Sequence, residues 1–592
     1  MNRLPLAAFG ALAAATVGAF FVTQHLKVST PLIAGAPQPT PAVIDPTGNG
    51  CGGSYRIARF SFYLLHRADD VAVYVVDQSG TIVRTLASGR HMRRKVRTPD
   101  GQFPWNGRED DGSVAPDGTY YFRVALLHQN RTVQYTKTPV LVKTVPPRPT
   151  VTSISPSLIP QGGTPVMIRY RGTEQRGVVM RIYRTDLPGA LRLVKSFGAG
   201  WRGATWDGRI RQRPAPAGIY LVGMEVTDKA CNTGRFPLTM PPPPGSTAHA
   251  GITVRYLAAQ PPLDPIPAGH TATVYVDARH QPYKWALHRP GARAVLAHGT
   301  TRSFTLAVKL PPRVASLYVL TLRSGAQRTS VPLVASAAGG AAGSERVLVV
   351  LPALTWQGLN PVDDDGDGLP NTLDNGGPVN LRRPLANGLP AGLNDEASLL
   401  AHLDRAHLAY DLTTDLGLLD GIGPGFARHR GVVLAGSERW LPASLGTALH
   451  AYVEGGGHVL SLGNDSLRRG VTVRGAQALH PSAAAAEDIF GARPGAVLTN
   501  VRDLITVTGD QLGIFSTTSG VFSGYRSYQQ LAPGPAPFVS AAGVGGGAAA
   551  IAGYRLGHGV VVEIGLVGFG QSLARNVDAQ ELIARLWQVL GR

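Results

Sequence analysis

Residues 103–124 read FPWNGREDDGSVAPDGTYYFRV, and residues 204–226 read ATWDGRIRQRPAPAGIYLVGMEV. In both, a Trp-x-Gly turn (Trp105 and Gly107, Trp206 and Gly208) runs through a polar loop to Pro, Gly and a Tyr-bearing strand (Gly118 and Tyr120, Gly218 and Tyr220). Self-similarity at a spacing of about one hundred residues is the signature of tandem modules. The Trp can plug one end of a small core, the glycines permit positive φ at the turn, and alternation in the Tyr strand turns one face inward. Residues 71–76 and 178–183 add upstream strands, so each repeat predicts a β-sandwich.

Around this pair the chain divides by composition. Its 592 residues predict three to five domains, at about 100 to 200 residues each. A third β-rich segment, 252–335, has strand candidates at 271–276, 303–308 and 316–322 but lacks the Trp turn. Pro-rich joints fall at 31–46, 146–149 and 241–244, and read as stiff spacers. An Ala/Gly run over 336–344 reads as flexible. Beyond residue 345 short apolar strands (346–351, 431–435, 458–462, 560–565) alternate with helical patterns (396–406 with Asn394 as N-cap, 445–453, 579–590). That order predicts a mainly parallel sheet covered on both faces, with its site outside the carboxyl ends of the strands. The expected divisions are 1–30 signal anchor or signal peptide, 31–50 linker, 51–146, 147–244 and 245–335 sandwich modules, 336–344 linker and 345–592 α/β domain.

The N-terminus carries Arg3 and then an apolar run over 4–22, close to the length of about 20 residues that spans a bilayer. It reads as an uncleaved anchor or a cleaved signal, so the protein is expected on the outer side of the cell membrane, or secreted. An oxidising compartment permits the two cysteines, Cys51 and Cys231, to pair. The formal net charge is +19, densest at Arg90, His91, Arg93, Arg94, Lys95 and Arg97. In that compartment the charge favours an anionic cell-envelope polymer or carbohydrate, and membrane lipid, over nucleic acid. No aromatic interleaving marks a base-stacking surface.

Residues 363–374 read DDDGDGLPNTLD, a twelve-residue calcium loop. Asp363, Asp365 and Asp367 stand at loop positions 1, 3 and 5, with Gly368 at the sharp turn. Leu369 can offer a carbonyl, Asn371 falls at position 9 and Asp374 at 12. Crowded carboxylates repel unless a hard cation lies among them. Calcium is therefore the expected cofactor, in a structural role. Calcium is expected to order a rim or lid over the strand-end crevice, as a standing brace, and no catalytic metal is expected.

The two repeats resemble the immunoglobulin-like module of the flagellar hook-capping protein, which implies a spacer or binding fold. From residue 345 the chain resembles the C-terminal domain of the large subunit of N,N-dimethylformamidase, a fold related to class I glutamine amidotransferases. That likeness rests on residues 355–360 (TWQGLN), 436–440 (GSERW), 463–465 (GND), 380–384 (NLRRP), the 411–415 stretch and the glycines 455–457. It implies a multidomain chain of tandem Ig-like β-sandwiches followed by a flavodoxin-like three-layer α/β domain.

The family's chemistry is weakened where it matters. Its strand-end Tyr is Leu359 here, and Arg439 replaces the Tyr of Glu-Tyr-Trp. If those tyrosines hold the family's iron, both ligands are absent. Amidotransferase chemistry needs a nucleophilic Cys, and none lies beyond residue 231. The expected ligand pocket is Trp356, Gln357, Asn360, Ser437 and Asp465, with Glu438 as general base and Asn464 as a transition-state donor if catalysis survives. Otherwise Glu438 pairs with Arg439 or a nearby Arg, while Asn464 and Asp465 cap a following helix. The first expectation is binding or scaffolding; the second is a hydrolase of amide bonds with a rearranged site, or with Tyr525 or Tyr528 replacing the lost ligands.

Overall fold

The computed structural model describes the chain from Leu4 to Gly591, apart from residues 30–32, 35–36, 66–68, 95–100, 161–162, 174–176, 201–202, 313, 338–346 and 546. Lys95 and Arg97 of the basic run, and most of the Ala/Gly run, lie outside the described residues. A helix, Leu4–Ser29, opens the chain. Its Pro5–His25 segment is long and apolar enough to cross a membrane, and none of it is buried among the described residues.

Three sandwiches follow, with one strand order. In the first, the main sheet runs Val43–Ile44, Val140–Val142, Gly118–Leu126, Asp69–Val76, Ile82–Met92. In the second it runs Leu158–Ile159, Gly251–Val254, Gly218–Thr227, Val178–Arg184, Arg192–Ala199. In the third it runs Ile266–Pro267, Gln327–Ser336, Ser316–Ser324, Tyr283–His288, Val295–Thr301. Each sheet begins with a two-residue strand laid parallel to the module's closing strand. The third segment therefore shares the architecture of the first two without their Trp turn.

In the repeats the sequence signature has a mechanical basis. Trp105 and Trp206 are buried, and each indole N–H donates to a carbonyl three residues on, Arg108 O at 2.9 Å and Arg209 O at 3.0 Å. Tyr120 and Tyr220 sit 5.0 and 5.6 Å from those rings. Each Tyr hydroxyl donates at 2.8 Å to a carbonyl four residues upstream, Pro116 or Pro216. The polar edges of both large rings are thus satisfied while their bodies fill the core.

Two expected boundaries move. The 31–46 joint is no free spacer, because Ile33–Ala34 pairs with Tyr63–Leu64 and Val43–Ile44 joins the first module's sheet. The run 241–244 does not divide modules two and three, because Gly251–Val254 closes the second module's sheet beside Gly218–Thr227. Proline marks stiff backbone in both places, and stiffness alone does not make a segment a linker.

The C-terminal unit holds a parallel core in the order Tyr410–Thr414, Val347–Leu351, Gly431–Leu434, His458–Ser461, Gly559–Ile564. Antiparallel strands extend it through Ala549–Leu556, Ser540–Gly543 and Ile505–Asp510. Alternation assigns the two faces. Val347, Val349 and Leu351 pack with the helices Leu393–Arg405 and Val577–Leu590, while Leu348 and Val350 pack with Ala443–Glu454. The helix expected from Asn394 starts instead at Leu393 behind Gly392, which takes φ +92°. Residues 355–358, expected in a strand-end loop, belong to a short helix, Ala353–Gly358.

Cys51 and Cys231 form a disulfide between the first and second modules. Around it Asn232 Nδ2 donates to Lys143 O at 2.9 Å, and Lys143 Nζ lies 3.8 Å from Asp228. Each sandwich has its own apolar core, so the bridge constrains how the two meet more than whether they fold. Reduction and alkylation should leave the β-sheet circular dichroism unchanged and speed proteolysis within residues 143–149. Loss of the sheet signal would show that the bridge supports the modules themselves.

Candidate functional site

The acidic loop folds as its spacing demands. Gly366 and Gly368 take φ +74° and +83°, a region other L-residues avoid. Asp363 Oδ1 accepts from Gly366 N at 2.7 Å and its Oδ2 from Gly368 N at 3.0 Å, while Asp367 Oδ1 accepts from Leu369 N at 2.8 Å. These bonds turn the carboxylates of Asp363, Asp365 and Asp367 toward one point, with oxygens within 4.8 Å of one another. Burial first, and then the Asp367 and Asp365 charges, push the Asp363 carboxyl up to about 7. Asp367 is also raised, chiefly by burial. An all-oxygen set with excess negative charge suits a hard divalent cation.

One of the expected ligands is placed otherwise. Asp374 lies in a short 3-10 turn and pairs with Arg439 Nη2 at 2.8 Å, apart from the three-carboxylate group. Asn371 Oδ1 accepts from Asp364 N at 2.6 Å, and its Nδ2 reaches Asp365 Oδ2 at 3.4 Å. Leu369 sends its side chain into the second module's core.

The loop contacts the second module on one side and the α/β unit on the other. Gly251 N donates to Gly366 O at 2.9 Å, and Thr185 Oγ1 donates to Gly368 O at 2.7 Å. A Cβ on Gly251 would stand 2.5 Å from Asp363 Oδ2, and one on Gly368 would stand 2.9 Å from Leu221 Cα. On the other side Arg383, 3% exposed, pairs with Asp364 at 2.6 Å. Its Nη2 donates to the carbonyls of Gln357, Asn360 and Asn371 at 2.8 to 2.9 Å.

That arginine also closes the expected pocket. Gln357 Nε2 donates to Arg383 O at 3.1 Å and Gln357 Oε1 accepts from Asn360 Nδ2 at 2.9 Å. Asn360 further binds Pro384 O and Ala386 N, each at 2.9 Å. Ser437 Oγ donates to the Asn464 carbonyl. Asp465, despite its burial, is held below the ordinary carboxylate range by Arg469 and Arg468, each at 2.7 Å. Strand Arg469–Arg474 follows, so Asn464 and Asp465 cap no helix. The polar residues expected to face a ligand face one another.

Glu438 behaves differently. It is fully buried; among the described residues no N–H or hydroxyl group donates to its oxygens, and its carboxyl shares a hydrogen bond with the Asp415 carboxyl. Arg439, expected to pair with it, turns outward to Asp374 and Asp465 and over the Trp440 ring at 5.2 Å. Burial first, then the Asp415 and Glu396 charges, raise the Glu438 carboxyl well above its ordinary range. Asp415 is pushed up to about 7 by burial, against the Leu354 and Leu416 amides that donate to it at 2.7 to 3.1 Å. Glu396, touched by Trp356 Nε1 at 3.4 Å, is pushed up to about 8 by burial. Asn464 Oδ1 is a further buried atom without a partner. Tyr525 donates to or accepts from Ser572 Oγ at 2.6 Å, and Tyr528 is buried in strand Ser527–Ala532.

Glu396, Asp415 and Arg383 had no assigned role in the sequence reading. A signal existed for Glu396, which stands among Leu393, Ala397, Leu399 and Leu400 on a helix face that is otherwise apolar. These raised carboxyls hold protons in the folded protein that the unfolded chain releases above about pH 4. Stability should therefore be greatest in acid and decline as pH rises toward about 7 to 8, the range of Asp415 and Glu396. Melting temperature measured from pH 5 to pH 8 should fall, and Glu438→Gln should make the slope shallower. A slope unchanged by the substitution would mean that Glu438 does not share in this titration.

Residues 52–129 match the family described as the FlgD Ig-like domain. Over 118 residues the chain is 29% identical to the basal-body rod modification protein FlgD of Salmonella typhimurium and 30% identical to that of Escherichia coli strain K12. Each match covers 20% of this chain and 48% of the relative, so the chain spans about half the length of these curated relatives. Among solved structures, a catalytic mutant of Gan42B, a GH42 beta-galactosidase from G. stearothermophilus, aligns over 32% of this chain and 25% of its own, at 13% identity and a TM-score of 0.23. The mmIFT52 N-terminal domain aligns over 32% of this chain and 89% of its own, at 14% identity and a TM-score of 0.21. Scores this low carry no argument about fold or function. The first sandwich is therefore an Ig-like module, similar over residues 52–129 to the FlgD Ig-like domain.

Proposed function

We propose that this chain is a membrane-anchored or secreted binding protein of the cell surface, in which three sandwiches present a non-catalytic α/β unit. In this reading that unit is an amidotransferase-like relative of the N,N-dimethylformamidase large-subunit domain that has lost its metal chemistry. The supporting observation is the internal satisfaction of the strand-end polar groups: Gln357, Asn360, Ser437 and Asp465 bond to the protein itself. A polar group already paired offers a substrate little differential binding. Leu359 caps the Ala353–Gly358 helix, and its aliphatic side chain packs at the core where a metal-binding oxygen would be needed.

A second reading, hydrolysis of amide bonds, is favoured by Glu438. A buried carboxyl that shares a proton with the neighbouring Asp415 carboxyl and has a raised proton affinity has the character of a general acid or base. Elemental analysis of the purified protein separates the two. Calcium without stoichiometric iron or zinc supports the binding reading; either transition metal at one equivalent overturns it.

Calcium has a structural role in this proposal. Asp363, Asp365 and Asp367 would hold the ion, with Asn371 close by, and the bound charge would relieve their mutual repulsion. In millimolar calcium the wild type should melt higher than in chelator, and Asp367→Ala should melt lower and lose the difference. An equal melting temperature with and without chelator in the wild type removes calcium from the account.

A further inference from the structure

The junction of the second and third modules carries a positive site with no assigned role. Arg255 directly follows the second module's closing strand, Gly251–Val254, and Asp277 ends the third module's strand Thr271–Asp277. Asp277 Oδ2 lies 3.7 Å from Arg255 Nη2 and 3.2 Å from Arg279 Nη2. One carboxylate thus serves two guanidinium groups and leaves an excess positive charge. Neither pairing is complete as hydrogen bonding: Arg255 Nε, Arg279 Nε and Arg279 Nη2 have no acceptor. Burial, and then the neighbouring Arg279 charge, lower the proton affinity of Arg255 against the pull of Asp277. The pair is short of negative charge.

The turn that presents Arg279 is built against backbone preference. Arg279 and His280 take φ +54° and +61°, left-handed values that side chains other than Gly, Asn and Asp seldom adopt. Asp277 Oδ1 holds the turn by accepting from Arg279 N at 3.1 Å, and Gln281 N closes it on Ala278 O at 3.0 Å. Strain of this kind persists where the surroundings over-determine it, often at ligand sites. Arg279 lines a cleft of about 680 Å³ between the modules, with Tyr256, Gln281, Ser324, Gln327 and Pro160.

We propose that this cleft binds an acidic saccharide, whose carboxylate docks on the Arg279 guanidinium. The inference rests on the binding reading above and gives it a site and a ligand class. A carboxylate supplies the missing negative charge and can accept from the exposed edge of the Arg279 guanidinium, whose side chain is 24% exposed. The two amides suit sugar hydroxyls, and the proline face suits the apolar side of a ring. A phosphate would meet the charge but would leave those neighbours unused.

Calorimetric titration of the full chain with tetragalacturonate tests this, with a neutral glucose tetramer and inorganic phosphate as comparisons. Tight binding of the acidic oligomer alone is expected. Arg279→Gln should weaken it by about tenfold or more, as loss of a charge-assisted hydrogen bond does. Arg279→Lys, which keeps charge without the fork, should fall between. Arg171→Gln, on an exposed part of the second module, should bind as the wild type does. Melting curves establish that each variant is folded. Equal binding of the neutral oligomer, preference for phosphate, or a folded Arg279→Gln protein with unchanged affinity each overturns the proposal. If the acidic oligomer fails while cell-envelope fragments still retain the wild type, this site is refuted and the binding reading stands.

Discussion

Arg383 carries a charge into a region closed to water, and much of the α/β unit is arranged to tolerate it. The guanidinium has one carboxylate, Asp364, and three backbone carbonyls within hydrogen-bond reach. Those carbonyls come from the end of the Ala353–Gly358 helix, the turn after it and the far side of the acidic loop. Removing one partner of a buried pair costs about 3 to 5 kcal/mol, because the other is left uncompensated. Backbone bonds from Asn360 N to Gln357 O and from Asn371 N to Val362 O already link these segments, and this one side chain ties all three together. Its presence also explains why Gln357 and Asn360 are occupied.

The same logic of fixed geometry runs along the molecule. A disulfide joins modules one and two, and the acidic loop joins module two to the α/β unit through Gly251, Thr185 and Leu221. Module three meets the same unit through Leu385, which is buried in the third module's core. Thr414 Oγ1 adds a bond to Leu263 O at 2.9 Å. Tandem sandwiches joined only by short linkers would reorient freely. Here covalent and polar contacts at each junction oppose that freedom.

The sandwich repeats were legible because one large ring and one glycine turn recur at matched positions, and Trp105 and Trp206 play the same part in both. The disulfide was legible from compartment and count. The parallel sheet was legible because Val347 to Leu351 is apolar without a break, as a strand buried on both faces must be. Less could be read where tertiary contact overrode local signal. Proline at 241–244 suggested a boundary, yet the strand that completes the module lies beyond it. Arg439 beside Glu438 suggested an ion pair, but adjacent residues on an extended backbone point to opposite sides. The buried carboxyls Glu396, Asp415 and Glu438 come from distant segments, and no spacing in the chain announces their meeting.

Gly251 has a consequence for how such a chain can change. Sandwich modules in tandem are usually cassettes, to be duplicated, lost or exchanged, because their junctions ask little of the neighbours. This one is committed. Its closing strand must pass so near Asp363 and Gly368 that a single methyl group would collide with both. A module imported at this position would bring its own residue in place of that glycine and its own surface in place of Thr185 and Leu221. The second sandwich and the acidic loop are therefore constrained together at this contact.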